Sequence, residues 1–299
     1  MTKLSIIIVN YNTKDLLINL LDSLKKAISI CGENKLNIQT IVVDNNSEDK
    51  SVQAVKKRYS WVEIIQNKEN LGFSKANNIG ILESKGELVL LLNSDTIVFP
   101  QTLLKITRFM DSKALAGAMT CRVELSSGKI DSASHRGFPT PWNAFCYFSG
   151  LEKLFSKSKL FSGYHQSWKD LKKTHQIDAC SGAFLLTRKK VINKIGLLDE
   201  DFFMYGEDID WCFRIKKAGF KVFYYPHTKI IHYKGQSGRK KLSDKDVNND
   251  LSRKIKKTSK QNFYETMKLF YEKHYKSKYS KPVYWMVLGG IWLISKIRK

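Results

Sequence analysis

The sequence predicts an α/β fold in which a mostly parallel sheet is flanked by helices and followed by a basic, helical C-terminal tail. In the first hundred residues, apolar runs and amphipathic segments alternate roughly every 25–30 residues, the period of a right-handed βαβ unit. The net charge of +23 is also uneven: +1 over residues 1–100, +9 over 101–233 and +13 over 234–299. With 299 residues, the chain is long enough to bury a large core.

The first element is a near-continuous apolar run from Leu4 to Val9, typical of a strand buried on both faces of a parallel sheet. Thr13 is a candidate N-cap for the helix that follows, in which leucines recur at helical spacing at positions 16, 17, 20, 21 and 24. The same reading predicts strands at Ile38–Val43, Val62–Gln66 and Glu87–Leu92, with helices ending near Arg58 and Ser84.

The composition limits the cellular compartments and the classes of binding partner that fit this chain. The five cysteines are widely spaced and form no CxxC pair, which argues against a zinc ribbon and fits reduced cytoplasmic thiols. The apolar run near the N-terminus is too short for a secretion signal. The charge admits nucleic acid, anionic membrane or phosphate-bearing substrates, but the nearly neutral first third argues against a general nucleic-acid coat.

Polar residues follow several of the predicted strands: Asn10, Asn12, Asp44, Asn93 and Asp95. In open α/β sheets, ligands bind beyond the carboxyl ends of the strands, so these positions predict a ligand site, although each alone is also a good turn or cap residue. The G-x-G-x-x-G and G-x-x-x-x-G-K-[ST] patterns are lacking, which disfavours a dinucleotide or P-loop site. Asp95, on a loop after an apolar strand, suggests a hard metal ion that bridges substrate phosphates.

Four blocks in the first hundred residues, and a later block that continues in order, resemble the family 2 glycosyltransferases, in particular their rhamnosyltransferase-like branch. The blocks are Ser5–Asn12, Val42–Ser47, Asn70–Phe73 with Ala76–Gly80, Leu91–Asp95, and Gly182–Phe184 continued by Phe203–Arg214. The resemblance covers roughly residues 3–238. It implies a GT-A fold with a Rossmann-like sheet, a nucleoside-diphosphate sugar donor linked to dTDP or UDP, a divalent metal (Mg or Mn) and inversion at the anomeric carbon.

The resemblance also assigns site residues. Those expected at the nucleotide sugar are Val9, Asn10, Tyr11, Asn12, Asp44, Asn77, Asn93 and Ser94. Asn93 stands where the family carries the first carboxylate of its D-x-D motif, so Asp95 is the expected principal metal ligand, with His232 as a second. Ser181, Gly182 and Trp211 are expected near the donor sugar and acceptor, although Gly182 also suits close packing and Trp211 a helix core.

The acidic run that begins at Glu207 supplies the candidate base. The segment Asp208–Ala218 reads as a helix with Gly219 as its C-cap. Acidic residues at a helix N-terminus also complement the helix dipole, which by itself implies no catalysis. By resemblance, Asp208 is the general base and Glu207 the second choice, while Asp210 is expected to be structural.

The domain prediction places a glycosyltransferase domain at 1–238 and a basic helical extension at 239–299. The domain divides into a nucleotide-binding half at 1–100 and an acceptor-binding half at 101–238, which includes an irregular, acceptor-facing insertion at 124–176. The extension combines a lysine cluster at 254, 256, 257 and 260 with apolar residues at helical spacing at 255, 263, 267, 270 and 271. A final helix over 283–297 measures about 22 Å, short of the roughly 30 Å needed to span a bilayer.

The final helix is therefore interpreted as an anionic membrane-surface anchor, with docking on protein as the alternative. The resulting hypothesis is a cytoplasmic enzyme, peripheral at the inner face of the cell membrane, that glycosylates a glycan or polyprenyl-diphosphate-linked acceptor for cell-surface polysaccharide synthesis. No nucleic acid is expected as a partner, and a homo-oligomer is left open. The alternative hypothesis is a basic nucleic-acid- or membrane-binding protein without catalysis.

Overall fold

The structure, a computed structural model, describes residues 2–234 and 263–297. Its strands are β1 Leu4–Asn10, β2 Ile38–Asp44, β3 Val62–Gln66, β4 Leu88–Leu92, β5 Thr96–Val98, β6 Ala116–Leu125, β7 His175–Ile177, β8 Phe184–Arg188 and β9 Lys221–His232. Its helices are α1 Lys14–Glu33, α2 Ser51–Arg58, α3 Gly72–Glu83, α4 Thr102–Ser112, α5 Pro141–Ser149, α6 Leu151–Leu154, α7 Lys189–Ile195, α8 Glu207–Lys217, α9 (described over 263–274) and α10 Lys281–Ile297.

The first four strands form the parallel half of the sheet. Their order is β3-β2-β1-β4, and every pairing among them is parallel. Helices α1, α2 and α3 provide the crossovers, as the alternating pattern predicts. The register pairs Asn10 with Asp44, so these two side chains lie at the same edge of the sheet.

The sheet continues from β4 through β8, β6 and β9 to β5, and β7 also pairs with β9. The β4–β8, β6–β8, β5–β9 and β7–β9 pairings are antiparallel, whereas β6–β9 is parallel. The predicted α/β fold with flanking helices and a helical C-terminus is confirmed. The antiparallel pairings make the sheet mixed, with its parallel region centred on the first four strands.

The core lies on both faces of the sheet, as expected for a three-layer α/β protein. Ile6 and Ile8 of β1 pack into one layer with α1 and α4, while Ile7 packs into the other layer with α3, α7 and α8. Thr13 stands at the N-cap position of α1, but its side chain makes no capping hydrogen bond. Its hydroxyl donates to Asn10 Oδ1 at 2.6 Å instead.

The insertion predicted to be irregular contains short elements. It includes the end of β6, a 3₁₀ turn at Ser132–Ser134, α5, α6 and β7. Pro141 at the start of α5 and Gly150 after its end (φ +83°) set the bounds of that helix. Thr140 caps it by accepting from Asn143 N.

The described part of the C-terminal extension is helical and packs on the rest of the protein. Phe270, Tyr271 and Tyr275 are buried in the layer that contains α8. His274 Nε2 lies 2.6 Å from Asp210 Oδ1, which ties α9 directly to α8. The predicted lysine cluster at 254–260 and the proposed boundary at 238/239 lie outside the described residues, and the domain division stays a prediction.

Candidate active site

A cavity of about 580 Å³ opens beyond the carboxyl ends of β1 and β4 and is bounded by α5, α8, α9 and the end of β9. Ten of the residues predicted for the site line this cavity: Val9, Tyr11, Asn93, Ser94, Asp95, Ser181, Gly182, Glu207, Asp208 and His232. Five others are outside its lining: Asn10, Asn12, Asp44, Asn77 and Trp211. Because Asn45 and Gly72 also line the cavity, residues from all five sequence blocks contribute to its walls.

Asn10 and Asp44 form a buried network beneath the cavity. The Asn10 amide donates to Asp44 Oδ1 at 2.7 Å and to Ser47 Oγ at 3.0 Å, and Asp44 Oδ2 accepts from Ser47 N. Asn12, at φ +55°, accepts from Glu48 N. These contacts fix the loops after β1 and β2 against each other and place Val9 and Tyr11 at the cavity wall.

Asn77 and Trp211 point away from the cavity. Asn77 is buried on α3, and its amide donates to Phe73 O at 2.9 Å. Trp211 is fully buried, and its indole donates to Gly196 O at 3.0 Å. The structure thus places Trp211 in the helix core, which was the alternative to its sugar-stacking role.

The residues expected to bind a metal lie together at the end of β9. His232 Nε2 is 3.3 Å from Asp95 Oδ1 and 3.5 Å from Asn93 Nδ2. On its other side, the His232 ring donates from Nδ1 to Asp131 Oδ2 at 3.0 Å. Asp131 in turn accepts from Lys234 Nζ at 2.7 Å.

This arrangement fits a divalent cation. An Asp oxygen and a His nitrogen side by side at a cavity wall are ordinary ligands, and a carboxylate behind the imidazole fixes the ring orientation in many metal sites. Within residues 2–234 and 263–297, no group of three or more His, Cys, Asp or Glu is arranged to hold a metal ion. Asp95 and His232 would therefore hold a metal together with substrate phosphate and water, as is usual for Mg²⁺.

His232 carries a positive charge in this setting. Burial disfavours the imidazolium, but hydrogen bonds to Asp131 and Asp95 outweigh burial and raise the pKa of His232 to about 9. A metal bound at His232 Nε2 would replace the proton that this nitrogen shares with Asp95, because a metal-ligating imidazole is neutral.

Asp208, at the start of α8, is held by three donors. Arg136 Nη2 donates to Asp208 Oδ2 at 2.9 Å, and Gly182 N lies 3.3 Å from the same oxygen. Asp208 Oδ1 accepts from Ile209 N at 2.7 Å. Although burial opposes the charge of Arg136, the adjacent Asp208 outweighs burial and raises the pKa of Arg136.

Glu207 is buried beside Asp208. Burial, followed by the negative charge of Asp208, raises the pKa of Glu207 to about 8, so its carboxyl group is largely protonated at neutral pH. Glu207 Oε2 has no hydrogen-bond partner among the described residues. Glu207 and Asp208 therefore place two adjacent carboxyl groups on one wall of the cavity.

Gly182 lines the cavity and provides the close packing considered from the sequence, while its expected role at the donor sugar and acceptor stays a prediction. A Cβ at this position would lie 2.9 Å from the ring of Phe73, so only glycine fits there without a shift. Its backbone N–H also faces Asp208. Close packing and the alignment of Asp208 thus come from the same residue.

Sequence reasoning missed several lining residues. Arg136 and Asp131 lie in the irregular segment after β6, where no periodicity marks them. Phe263, Thr266, Met267 and Phe270 of α9 also line the cavity. The helical spacing of 263, 267 and 270 was visible in the sequence, but the surface to which that helix docks was not.

A mixed α/β sheet with a cavity at its carboxyl edge, lined by a candidate cation site and two adjacent carboxyl groups, is typical of a GT-A type of sugar transferase. Residues 5–196 match the family described as Glycosyl transferase family 2. The chain therefore belongs to the family 2 glycosyltransferases and is a glycosyltransferase enzyme.

Curated relatives show which branch of the family this chain resembles. The chain is 26% identical over 208 residues to the rhamnosyltransferase WbbL of Escherichia coli, covering 67% of this chain and 74% of the relative. It is 25% identical over 223 residues to an N-acetylglucosaminyl-diphospho-decaprenol L-rhamnosyltransferase of Mycobacterium tuberculosis, covering 71% of each. The predicted resemblance to the rhamnosyltransferase-like branch is confirmed.

Solved structures support the fold. Staphylococcus aureus TarS superposes with a TM-score of 0.57 at 17% identity, over 98% of this chain and 71% of that one. A mannosyltransferase of Pyrobaculum calidifontis, in complex with GDP-Man and Mn²⁺, superposes with a TM-score of 0.59 at 14% identity, over 98% and 69%. At these identities, the similarity establishes the fold alone.

Proposed function

We propose that this enzyme transfers L-rhamnose, with inversion, from a dTDP- or UDP-linked donor to a lipid-linked glycan acceptor in cell-surface polysaccharide synthesis. The observation that carries the proposal is the placement of Asp208 and of the Asp95–His232 pair on the walls of one cavity. A base for the acceptor and a charge-stabilising site for the donor are the two groups that direct displacement at an anomeric carbon requires.

Each group has a definite task in this proposal. Asp208, oriented by Arg136 and Gly182, accepts the proton of the acceptor hydroxyl as that hydroxyl attacks. Asp95 and His232 would hold the divalent metal, which would supply positive charge to the leaving diphosphate. Inversion needs no covalent intermediate, so no nucleophilic Ser or Cys is involved.

The nucleotide is proposed to lie over the loops after β1 and β2. Val9, Tyr11 and Asn45 line that part of the cavity, and the buried Asn10–Asp44 pair holds these loops in place. In this arrangement, the pocket is shaped by backbone segments that are held in place by the side chains of Asn10, Asn12, Asp44 and Asn77. Asn93 and Ser94 face the cavity and are proposed to contact the ribose or diphosphate.

The proposed sugar and acceptor follow the relatives. Two of them are named as rhamnosyltransferases, and one name specifies a diphospho-decaprenol-linked N-acetylglucosamine substrate. A polyprenyl-diphosphate acceptor would suit the apolar part of the cavity, which is lined by Tyr147, Phe148, Phe263, Met267 and Phe270.

Peripheral attachment to the inner face of the cell membrane is proposed through α10. One side of this helix, with Tyr284 and Val287, packs on the core, while Trp285, Met286, Trp292 and Leu293 are exposed. Among the helices of the described residues, none has the length and apolar character needed to cross a bilayer. Exposed tryptophans beside Lys296 fit burial at the membrane interface.

A donor screen tests the catalytic part of the proposal. The purified chain is incubated with dTDP-rhamnose, UDP-rhamnose, UDP-glucose, UDP-galactose or GDP-mannose and a polyprenyl-diphosphate-linked N-acetylglucosamine, with Mn²⁺ or EDTA, and nucleoside-diphosphate release is measured. We expect nucleoside diphosphate to be released from dTDP- or UDP-rhamnose, and we expect EDTA to abolish that release. If calorimetry showed that the protein binds none of these donors, the proposal would be contradicted and the non-catalytic alternative would be favoured.

Attachment is tested separately with a variant that ends at Ser280. Flotation with anionic vesicles should show weaker binding than the full chain, while turnover of a detergent-solubilised acceptor is retained. Equal binding of the two proteins would exclude α10 as an anchor.

A further inference from the structure

The segment of residues 141–162, here called the α5–α6 lobe, exposes an unusual amount of apolar surface. Its exposed apolar side chains are Trp142, Phe145, Leu154, Phe155 and Leu160, which retain between 44% and 74% of their accessible surface. Trp142 contacts the rings of Phe145 and Phe161 at centroid distances of 5.7 and 6.0 Å, and Phe161 contacts Phe155 at 4.9 Å. The aromatic rings therefore form one connected cluster, and the exposed Leu154 and Leu160 directly precede Phe155 and Phe161 of that cluster in the chain.

The charges in the lobe are all positive at its surface. Lys153, Lys157 and Lys159 are exposed among these apolar residues. The one acidic residue, Glu152, is buried: its Oε1 accepts from His165 N at 2.7 Å, and its Oε2 lies 3.1 Å from His165 Nδ1. The lobe thus combines aromatic, aliphatic and cationic side chains without an exposed acid, the composition of an interfacial membrane surface.

The lobe is also part of the active-site wall. Ala144, Tyr147 and Phe148 of α5 line the cavity, while Trp142 and Phe145 of the same helix are exposed. We propose that the α5–α6 lobe is a second membrane-docking surface, separate from α10, that seats the cavity against an anionic lipid surface. The biological purpose of this docking rests on the proposed function, because a lipid-linked acceptor would then reach the cavity from the membrane. The docking itself does not depend on that function.

The details of the patch favour lipid over a glycan or a second copy of the chain. The Trp142 indole donates to Leu160 O at 2.8 Å, so it is not free to bind a sugar hydroxyl. The aliphatic Leu154 and Leu160 are the most exposed apolar residues of the lobe, at 74% and 60%, and offer no sugar-stacking face. A two-fold contact between copies would bring the three lysines of each lobe together, whereas an anionic surface complements them.

A site-specific fluorescent probe tests the docking directly. All five native cysteines are buried, so an environment-sensitive NBD maleimide should label an introduced cysteine selectively. Leu154→Cys carries the probe in the lobe. Leu82→Cys, also highly exposed at 68%, carries it at the end of α3, on the sheet edge opposite the cavity.

We expect a blue shift and an increase in emission for the Leu154→Cys probe with phosphatidylglycerol-containing vesicles. Pure phosphatidylcholine should produce little change, as should either vesicle with the Leu82→Cys probe. No shift at Leu154→Cys, or equal shifts at the two positions, would overturn the proposal. A shift that appears with protein concentration alone, or with soluble glycan alone, would overturn it in favour of self-association or glycan binding.

A charge variant gives the second measurement. A triple variant with Lys153→Gln, Lys157→Gln and Lys159→Gln should bind anionic vesicles roughly 100-fold more weakly, because each lysine near an anionic surface raises the affinity by about a factor of five. Donor turnover with a detergent-solubilised acceptor should be unchanged, since none of the three lines the cavity. Unchanged vesicle binding would overturn the proposed docking role of the lobe. An enzyme that still binds vesicles but is inactive toward every donor would refute the proposed function alone.

Discussion

Arg136 and Asp208 form a largely buried ion pair at the wall of the active-site cavity, with 2.9 Å between Nη2 and Oδ2. Arg136 comes from the irregular segment after β6 and Asp208 from the first turn of α8, so the pair joins two distant parts of the chain. The guanidinium fixes the direction in which the carboxylate faces the cavity. This relationship links the proposed chemistry to the packing of the insertion.

Asp208→Asn should abolish the base while preserving the shape of the site. We expect kcat to fall by about 10²- to 10⁴-fold, with donor affinity by calorimetry unchanged, because an amide cannot accept the acceptor proton. Asp170→Asn, an exposed carboxylate outside the cavity lining, serves as the matched control and should retain activity. Near-wild-type turnover by Asp208→Asn would remove that residue as the base.

Arg136→Ala should destabilise the protein, because it leaves the Asp208 carboxylate buried without its cation. The expected loss in free energy of unfolding is about 3 kcal/mol, measured by urea denaturation. Adding Asp208→Asn to Arg136→Ala should restore part of that stability, since the uncompensated charge is gone. If the two losses simply add, the pair is not energetically coupled.

Glu207 predicts a specific dependence of stability on pH. Its pKa is raised from 4.5 in the unfolded chain to about 8 in the folded protein, through burial and the charge of Asp208. The folded state therefore binds more protons between these values, and this contribution to stability is complete below about pH 4.5 and is lost as pH rises through about 8. Glu207→Gln keeps the neutral form and should remove this loss.

Urea denaturation of the wild type and Glu207→Gln at pH 5 and pH 8.5 checks this prediction. The variant should gain several kcal/mol relative to the wild type between the two pH values, since each pKa unit corresponds to about 1.4 kcal/mol. A constant difference between the two proteins across this range would show that Glu207 titrates normally.

Gly206→Ala should disturb the contact between α9 and the start of α8. Gly206 has φ +87°, and an added Cβ would overlap Thr266 Cγ2 of α9. Gly219→Ala is the matched control, because Gly219 has φ +91° but nothing within 4 Å of its Cβ position. The control should lose about 1–2 kcal/mol from backbone strain alone.

The variant Gly206→Ala should lose more stability than this control in thermal or urea unfolding and should also lower kcat/KM, since Thr266 lines the cavity. Equal losses at the two glycines would mean that α9 moves aside freely.

Asp131→Asn should weaken metal binding without removing a ligand. Asp131 accepts from His232 Nδ1 and thereby orients Nε2 toward Asp95. Loss of such a carboxylate typically lowers metal affinity by about 10- to 100-fold. The Mn²⁺ concentration for half-maximal activity should rise accordingly, while saturating Mn²⁺ restores most of kcat. An unchanged Mn²⁺ requirement would separate Asp131 from the metal site.

The sequence by itself determined the parallel half of the fold. Buried β-branched runs and leucines at helical spacing depend only on neighbouring residues, so strands such as Val62–Gln66 were predicted at the bounds that the structure shows. The ordered blocks placed Asp95, Glu207 and Asp208 in the candidate site and the family resemblance added His232, and all four line the cavity. The final helix was likewise visible as a continuous apolar run bounded by Pro282 and lysines.

The tertiary structure decided the contacts made between segments distant in the chain. Arg136 and Asp131 carry no periodic signal, and their partners lie 72 and 101 residues away. The apolar spacing of α9 predicted a helix, but its docking over the cavity depends on Asp210 and on the buried face of α8. Trp211 shows the same limit: its spacing allowed either a sugar contact or a core position, and the hydrogen bond to Gly196 O decided for the core. Local patterns specify elements because their causes are local, whereas burial, ion pairing and shifted pKa values arise only when the elements pack.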